Sequence, residues 1–192
     1  MVRVRVDPSV TSIPAKAFEG RKKFTKVELH EGLIEIGDHS FAKCDHSITK
    51  INIPNSIKRI NDLAFYDSLR TTIRLHDDIE SIGLETFSCF IFTNFRVPPL
   101  ISAILDHMLY NCQSIFSVEI PEDVNEIGYN AFRYCYCLQN MAFPPDAVFG
   151  DEIFISEDDD ELEMHTDLRL LFGSELQIMI CSIAPMDYQS IN

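Results

Sequence analysis

Two short stretches of the chain hold side chains of the types that metal or acid and base chemistry uses. His39, Cys44 and His46 fall close together, and Cys135 and Cys137 flank a single tyrosine. Structural zinc takes four ligands converging tetrahedrally, usually begun by two cysteines separated by two to four residues. The first stretch offers too few ligands and the second is spaced too tightly, so no metal site is expected. Asp106 and His107 are a candidate acid and base, but no nucleophile is placed beside them. The patterns G-x-S-x-G, G-x-x-x-x-G-K-[ST], H-E-x-x-H and G-x-G-x-x-G are missing from the sequence. The chain is expected to be no enzyme and to need no cofactor. What is left is recognition by charge, carried by Lys26, Lys50, Arg74 and Arg96, which recur at nearly constant separation.

That separation belongs to a repeat. The residues Val118, Ile120, Val124, Ile127 and Phe132 are matched by Val27, Leu29, Leu33, Ile36 and Phe41, then by Ile51, Ile53, Ile57, Ile60 and Phe65. Further copies start at Val4, Ile73 and Phe95, so the first anchors step by 23, 24, 22, 22 and 23 residues. A period of this size is the mark of a solenoid, in which each repeat contacts only its neighbours. Six to seven repeats of about 23 residues are expected over residues 1–150, with residues 151–192 as a separate extension.

Each repeat opens on a short alternating stretch such as Val27-Glu28-Leu29, the period of two that a strand requires. Proline follows at Pro54, Pro98, Pro121 and Pro144, where its missing N–H does no harm to a strand ladder. Gly37, Gly83 and Gly128 then follow an isoleucine, which predicts a backbone turn at positive φ. Leu105 stands at the same place in the fifth repeat and predicts a different turn there. The Ala17-Phe18, Ala64-Phe65 and Ala131-Phe132 steps predict a helical turn with the ring inside, and Cys44, Cys112 and Cys135, three residues further on, a ladder of small buried side chains.

Taken together, the period, the proline, the Ile-Gly pair, the Ala-Phe pair and the cysteine resemble the BspA-like leucine-rich repeat proteins over residues 2–146. The resemblance implies a leucine-rich repeat solenoid, an α/β-type curved array. Parallel strands would lie on the concave side and short helical or extended segments on the convex side. It also implies protein or ligand binding, with surface adhesion in secreted members.

If the repeat anchors point inward, their neighbours Lys26, Glu28, Lys50, Asn52, Arg74, Arg96 and Glu119 point outward. Lys50, Arg74 and Arg96 are then expected to form one positive row, with Lys26, Asn52 and Glu119 completing the candidate partner-binding set, and His30 lining the same face. An acidic protein or peptide is the partner such a row would take. A second candidate surface is aromatic, from Phe90, Phe92, Tyr110, Tyr134 and Tyr136.

The net charge of −14 is uneven: residues 1–150 carry 15 Lys/Arg against 19 Asp/Glu, and residues 151–192 carry 1 against 11. An acidic end disfavours nucleic acid, whose phosphates need basic side chains to displace counterions. The run at 157–163 is expected to compete for the basic row or to attract a basic partner, and the apolar stretches beyond it to cap the array. No run is long enough to cross a bilayer. The first residues lack the apolar stretch of a secretory signal, so a cytoplasmic, reduced and monomeric module is expected. A surface adhesin and a structural spacer are the alternatives.

Overall fold

The computed structural model describes residues 2–44, 50–68 and 72–154. Short strands alternate along it. They are β1 (Val2–Arg5), β2 (Ser12–Ile13), β3 (Phe24–Glu28), β4 (Glu35–Ile36), β5 (Lys50–Asn52), β6 (Arg59–Ile60) and β7 (Thr72–Arg74). There follow β8 (Ser81–Ile82), β9 (Asn94–Arg96), β10 (Ala103–Ile104), β11 (Ser117–Glu119), β12 (Glu126–Ile127), β13 (Asn140–Met141) and β14 (Val148–Phe149). Odd-numbered strands form one parallel face and even-numbered strands another. The chain thus winds through six complete rungs and most of a seventh, a parallel β-solenoid.

The anchors bury as the period predicts. Val27, Ile51, Ile73, Phe95 and Val118 fill the first sheet's inner side, and Ile13, Ile36, Ile60, Ile82, Ile104 and Ile127 the second's. Between them runs a column of rings: Phe18, Phe41, Phe65 and Phe87 stack at 5.0, 5.4 and 5.9 Å with planes within 11° of parallel. Leu109 continues the column, and Phe132 stacks on Phe154 at 5.8 Å. Each such ring contributes about 1.5–3 kcal/mol on burial. Phe154 thus packs on the last ring of the column.

The third side of each rung corrects the helical expectation: the described residues contain no helix. At the Ala-Phe step the chain makes three consecutive β-turns, closed by Ala17 N–H to Pro14 O, Glu19 N–H to Lys16 O and Arg21 N–H to Phe18 O. The intervening amides leave the rung: Lys16, Phe18 and Gly20 donate to Asp38, Ser40 and Ala42 of the next, each at 2.8 Å. Lys16 and Gly20 have φ of 60° and 63°, which a right-handed helix cannot contain. His39, Lys43, Leu63, Asp67, Glu85, Cys89, His107 and Asn111 repeat both features. Left-handed backbone costs about 1–2 kcal/mol at a non-glycine residue, and the inter-rung hydrogen bond that it aims offsets much of that. We call this third side the turn ladder.

The glycines after isoleucine have a different cause from the one expected. Gly20 is the one glycine at positive φ among the described residues, so Gly37, Gly83 and Gly128 do not need it. They need space. A Cβ on Gly128 would sit 2.5 Å from Asp106 N, and one on Gly37 2.6 Å from Ile13 O. Asp62 and Asp106 hold these crossings by accepting the Leu84 and Tyr129 N–H at 2.9 and 2.8 Å. Leu105 fits because no left-handed turn is required of it. Its rung keeps the same three-turn path as the others, with Met108 N–H to Leu105 O and Cys112 N–H to Leu109 O.

Where proline is missing after the first strand, a side chain takes over. Asp7, His30 and His76 each accept the N–H two residues on, from Ser9, Gly32 and Asp78 at 2.9, 3.0 and 3.2 Å. An amide that follows proline at other rungs is satisfied here by a local acceptor, as in an Asx turn.

Both sheets break at one joint. β7 and β8 close their sheets, and β9 and β10 open new ones. The first sheet also divides between β3 and β5, but there the second sheet runs on through β4 and β6. At the fourth and fifth rungs Phe90 replaces the small residue of the cysteine column and Phe95 the aliphatic anchor. The Phe92 ring lies 4.7 Å from Phe90, 4.9 Å from Phe95 and 5.7 Å from Phe87. Extra rings in a core built for one residue per place shift the backbone around them, and it is here that the strand pairing is interrupted. The turn ladder crosses the joint through Glu85, Phe87 and Cys89, which donate to Asp106, Met108 and Tyr110.

Candidate functional site

The first sheet turns two columns of side chains outward, and strand register decides which residues share one. Arg3 pairs with Lys26, and Lys50 with Thr72. Arg5 pairs with Glu28, Asn52 with Arg74, and Arg96 with Glu119. The expected single row of Lys50, Arg74 and Arg96 is thereby corrected: Lys50 precedes its anchor Ile51, whereas Arg74 and Arg96 follow Ile73 and Phe95. The basic strip instead crosses diagonally, from Lys26 and Lys50 in one column to Arg74 and Arg96 in the other. His30 is not on it, since its Nδ1 holds Gly32 and its Nε2 is buried.

The ends of the strip are neutralised within the chain. Lys26 Nζ lies 2.8 Å from Glu28, which Arg5 also approaches at 3.5 Å. The hydrogen bond from Lys26 is the main cause that lowers the Glu28 pKa below the ordinary carboxylate value. Arg96 pairs with Asp77 and lies 3.7 Å from Glu119. Lys50, Asn52 and Arg74, at the centre, have no such partner among the described residues. The exposed polar column beyond them continues as Asn94, Ser117 and Asn140, with the Ser117 hydroxyl donating to Asn94 Oδ1 at 2.6 Å.

The second sheet keeps its charges to itself. Arg59 lies 2.7 Å from Glu35, and Asn61 donates to the other carboxylate oxygen at 2.9 Å. These bonds, Arg59 first, lower the Glu35 pKa.

The expected aromatic surface divides. Phe90 is buried and Phe92 packs on the core, so neither is available to a ligand. Tyr110, Tyr134 and Tyr136 do reach the surface, beside the turn ladder. Sequence reasoning missed their companions Tyr66 and Tyr129. Alignment by column would have found them, since Tyr66 and Tyr110 each follow the ring-column residue and Tyr129 follows an Ile-Gly pair. His107 sits 5.3 Å from both Tyr110 and Tyr129 in ring centroids, and Tyr110 lies 5.2 Å from Tyr134. Burial is the first cause that raises the Tyr110 pKa, with Tyr134 next.

The metal and catalytic candidates have structural employment. The Cys44, Cys112 and Cys135 thiols donate to Phe18 O, Phe87 O and Leu109 O at 3.1, 3.2 and 3.2 Å, and Ser68 donates to Phe41 O at 2.6 Å. Desolvation raises the Cys112 pKa well above its ordinary value and takes Cys135 to about 12. His46 lies outside the described residues, among which no group of three His, Cys, Asp or Glu could hold a metal ion. Asp106 accepts Tyr129 N–H, while His107 Nε2 meets Asn130 Nδ2 at 3.1 Å, so the two face different partners. No helix of the described residues is long and apolar enough to cross a membrane.

Solved structures with the same winding come from several bacteria. A leucine-rich repeat protein of Bacteroides ovatus is 21% identical, with a TM-score of 0.63 over 80% of this chain and 46% of its own. A leucine rich cell surface protein of Faecalibacterium prausnitzii is 20% identical, with a TM-score of 0.64 over 76% of this chain and 48% of its own. The T. pallidum leucine rich repeat protein is 19% identical, with a TM-score of 0.59 over 71% of this chain and 78% of its own. At these identities the likeness establishes the fold, and the chain spans about half the length of the first two proteins. A comparison with curated proteins finds no match. The BspA type leucine rich repeat region matches in six copies over residues 11–139. With two thirds of its length covered by those copies and every rung closed by the same turn ladder, the chain belongs to the BspA-type leucine-rich repeat family.

Proposed function

We propose that the chain is a non-enzymatic protein-binding module whose strand face receives an acidic segment of a partner. The observation that carries this reading is the contrast along the basic strip: among the described residues, Lys50 and Arg74 lack the carboxylates that neutralise Lys26 and Arg96 at either end. Exposed ion pairs contribute about 0–1 kcal/mol each and weaken with salt. Affinity would therefore come from several pairs along an extended segment, helped by Asn52 and the neutral column beyond it. Lys26 and Glu119 would set its ends. The module would act as a monomer in the cytoplasm.

Affinity capture with mass spectrometry tests the reading, comparing the intact chain, residues 1–150, and the chain with Lys50, Arg74 and Arg96 changed to glutamate, at two salt concentrations. A reproducible acidic partner that the array retains and charge reversal removes is the expected result. A partner that survives charge reversal, or follows only residues 151–192, sinks it. A second reading, a cell-surface adhesion module, is favoured by the likeness to the F. prausnitzii protein, a leucine rich cell surface protein. Localisation of the intact protein in its source cells separates the two.

A further inference from the structure

One facet of the solenoid is built without charge. Residues 86–95, 108–118 and 134–145 contain no Asp, Glu, Lys or Arg, although such residues make up 24% of the chain. The three runs occupy the same place in successive rungs, where the turn ladder passes into the first sheet. In the first rung that place, residues 17–27, holds Glu19, Arg21, Lys22, Lys23 and Lys26. Among the described residues no charged side chain is buried, so the difference lies in what points outward.

Register stacks the outward residues of the later rungs into a block. Asn94, Ser117 and Asn140 pair along the sheet. Beside them Thr93, Phe116 and Gln139 form a second column, because Phe116 N–H donates to Thr93 O at 2.7 Å and Gln139 N–H to Phe116 O at 3.0 Å. Five of these six are exposed, and Ser117 is half-buried. Phe116, in the middle, is 41% exposed, whereas every other phenylalanine of the described residues is buried or packed against the core. The Ser117 hydroxyl donates to Asn94 Oδ1 at 2.6 Å, which engages that oxygen and leaves the Nδ2 hydrogens to a ligand.

Short amides and hydroxyls around one ring suit a particular chemistry. A carboxamide offers donors and an acceptor side by side, and neighbouring hydroxyls of a sugar ring present the matching pair. The C–H face of a pyranose lies against an aromatic ring as other apolar surface does. Thr, Asn and Ser lose less rotamer freedom on binding than Lys or Arg. A polyanion finds no cation in these runs to replace its counterions. Adjacent rungs lie about 4.8 Å apart, close to the advance of one sugar along an extended, ribbon-like glycan.

We infer that this facet binds a neutral, extended glycan laid across the fifth to seventh rungs, with one sugar on the Phe116 ring and the flanking sugars hydrogen-bonded to the Asn94, Gln139 and Asn140 amides. The facet borders the basic strip but contains neither Lys50 nor Arg74, so this inference and the acidic-segment reading stand or fall separately.

Chemical shifts of the full chain, titrated with cellohexaose, β-1,4-mannohexaose and N-acetylchitohexaose, test it. At least one of these neutral glycans should give saturable shifts at residues 93–94, 116–117 and 139–140 that added salt does not weaken. Maltohexaose, which coils, and hexagalacturonate, which is charged, should bind several-fold more weakly. F116A should weaken binding by about fivefold, and F116Y should keep it because the ring face remains. N140A, at an exposed place, should weaken it as well without disturbing the fold, while K50E/R74E should leave it in place. No saturable shift with any of the neutral ribbon-like glycans, shifts that lie elsewhere, equal or tighter binding of hexagalacturonate or maltohexaose, or indifference to F116A and N140A would each overturn the inference.

Discussion

The turn ladder and the sheets are built from the same rungs, yet only the ladder crosses every joint. Its ring column and its left-handed amides link each rung to the next, including the fourth to the fifth, where both sheets stop. The sheets in turn carry the outward residues that vary in charge. Cohesion and surface variation are thereby separated: one side of the rung holds the stack together, while the strand side changes its outward residues without threatening the fold.

The largest effect that tests this division is expected in the ring column. Phe87→Ala, at the joint where no strand pairing helps, should lose about 3–5 kcal/mol in urea denaturation, against about 0.5–1.5 kcal/mol for Ile73→Val on the first sheet. Similar losses for the two would end the distinction.

Next come the crossings between rungs. Gly128→Ala drives a methyl against Asp106 N and should cost about 1–3 kcal/mol. Gly20→Ala meets nothing within 4 Å and bears only its positive φ, a penalty of about 1 kcal/mol. If Gly20→Ala is the worse of the two by thermal melting, close approach is not what Gly128 is for.

A smaller effect is expected where the cysteine column caps ring-column carbonyls. Cys112→Ser keeps a donor to Phe87 O and should hold stability, while Cys112→Ala should lose about 1 kcal/mol. Alkylation of the intact protein should reach exposed Cys137 well before Cys112 and Cys135, whose thiols burial keeps protonated. Early modification of Cys112 would contradict the packing.

The smallest effect concerns the second sheet's own charges. The Glu35 pKa is lower folded than unfolded, so its contribution is fully present above the ordinary carboxylate value near 4.5 and is lost as pH falls through the depressed folded value. E35Q should remove a contribution of at most about 1 kcal/mol at neutral pH and flatten the acid limb of the melting-temperature profile. An unchanged limb would mean that the pair with Arg59 holds nothing.

The anchors, the ring column and the period were legible because each inward place tolerates few residue types: Ile60, Ile82 and Ile104 recur by packing necessity. The turn ladder was not. One buried ring per short segment fits a helical turn and a run of β-turns equally, and the distinction lies in φ at Lys16, Leu63 and Glu85, whose types do not advertise left-handed backbone. The diagonal of the strip came from unequal rungs. Lys50 and Arg74 are 24 residues apart while their anchors Ile51 and Ile73 are 22 apart, so counting from the anchors puts them in different columns. Tyr66 escaped because it lies outside the repeats that drew attention to Tyr110 and Tyr134, and Tyr129, in the same repeat as Tyr134, because it follows the Ile-Gly pair and not the ring-column residue.

The claim that the strand face receives an acidic segment is tested most directly by amide chemical-shift mapping of the full chain with a hexaglutamate peptide. The account predicts shifts at residues 50–52 and 72–74, fading with added salt and abolished in K50E/R74E, with residues 107–111 and 129–134 unmoved. Shifts confined to the turn ladder, or shifts that persist after charge reversal, would contradict it.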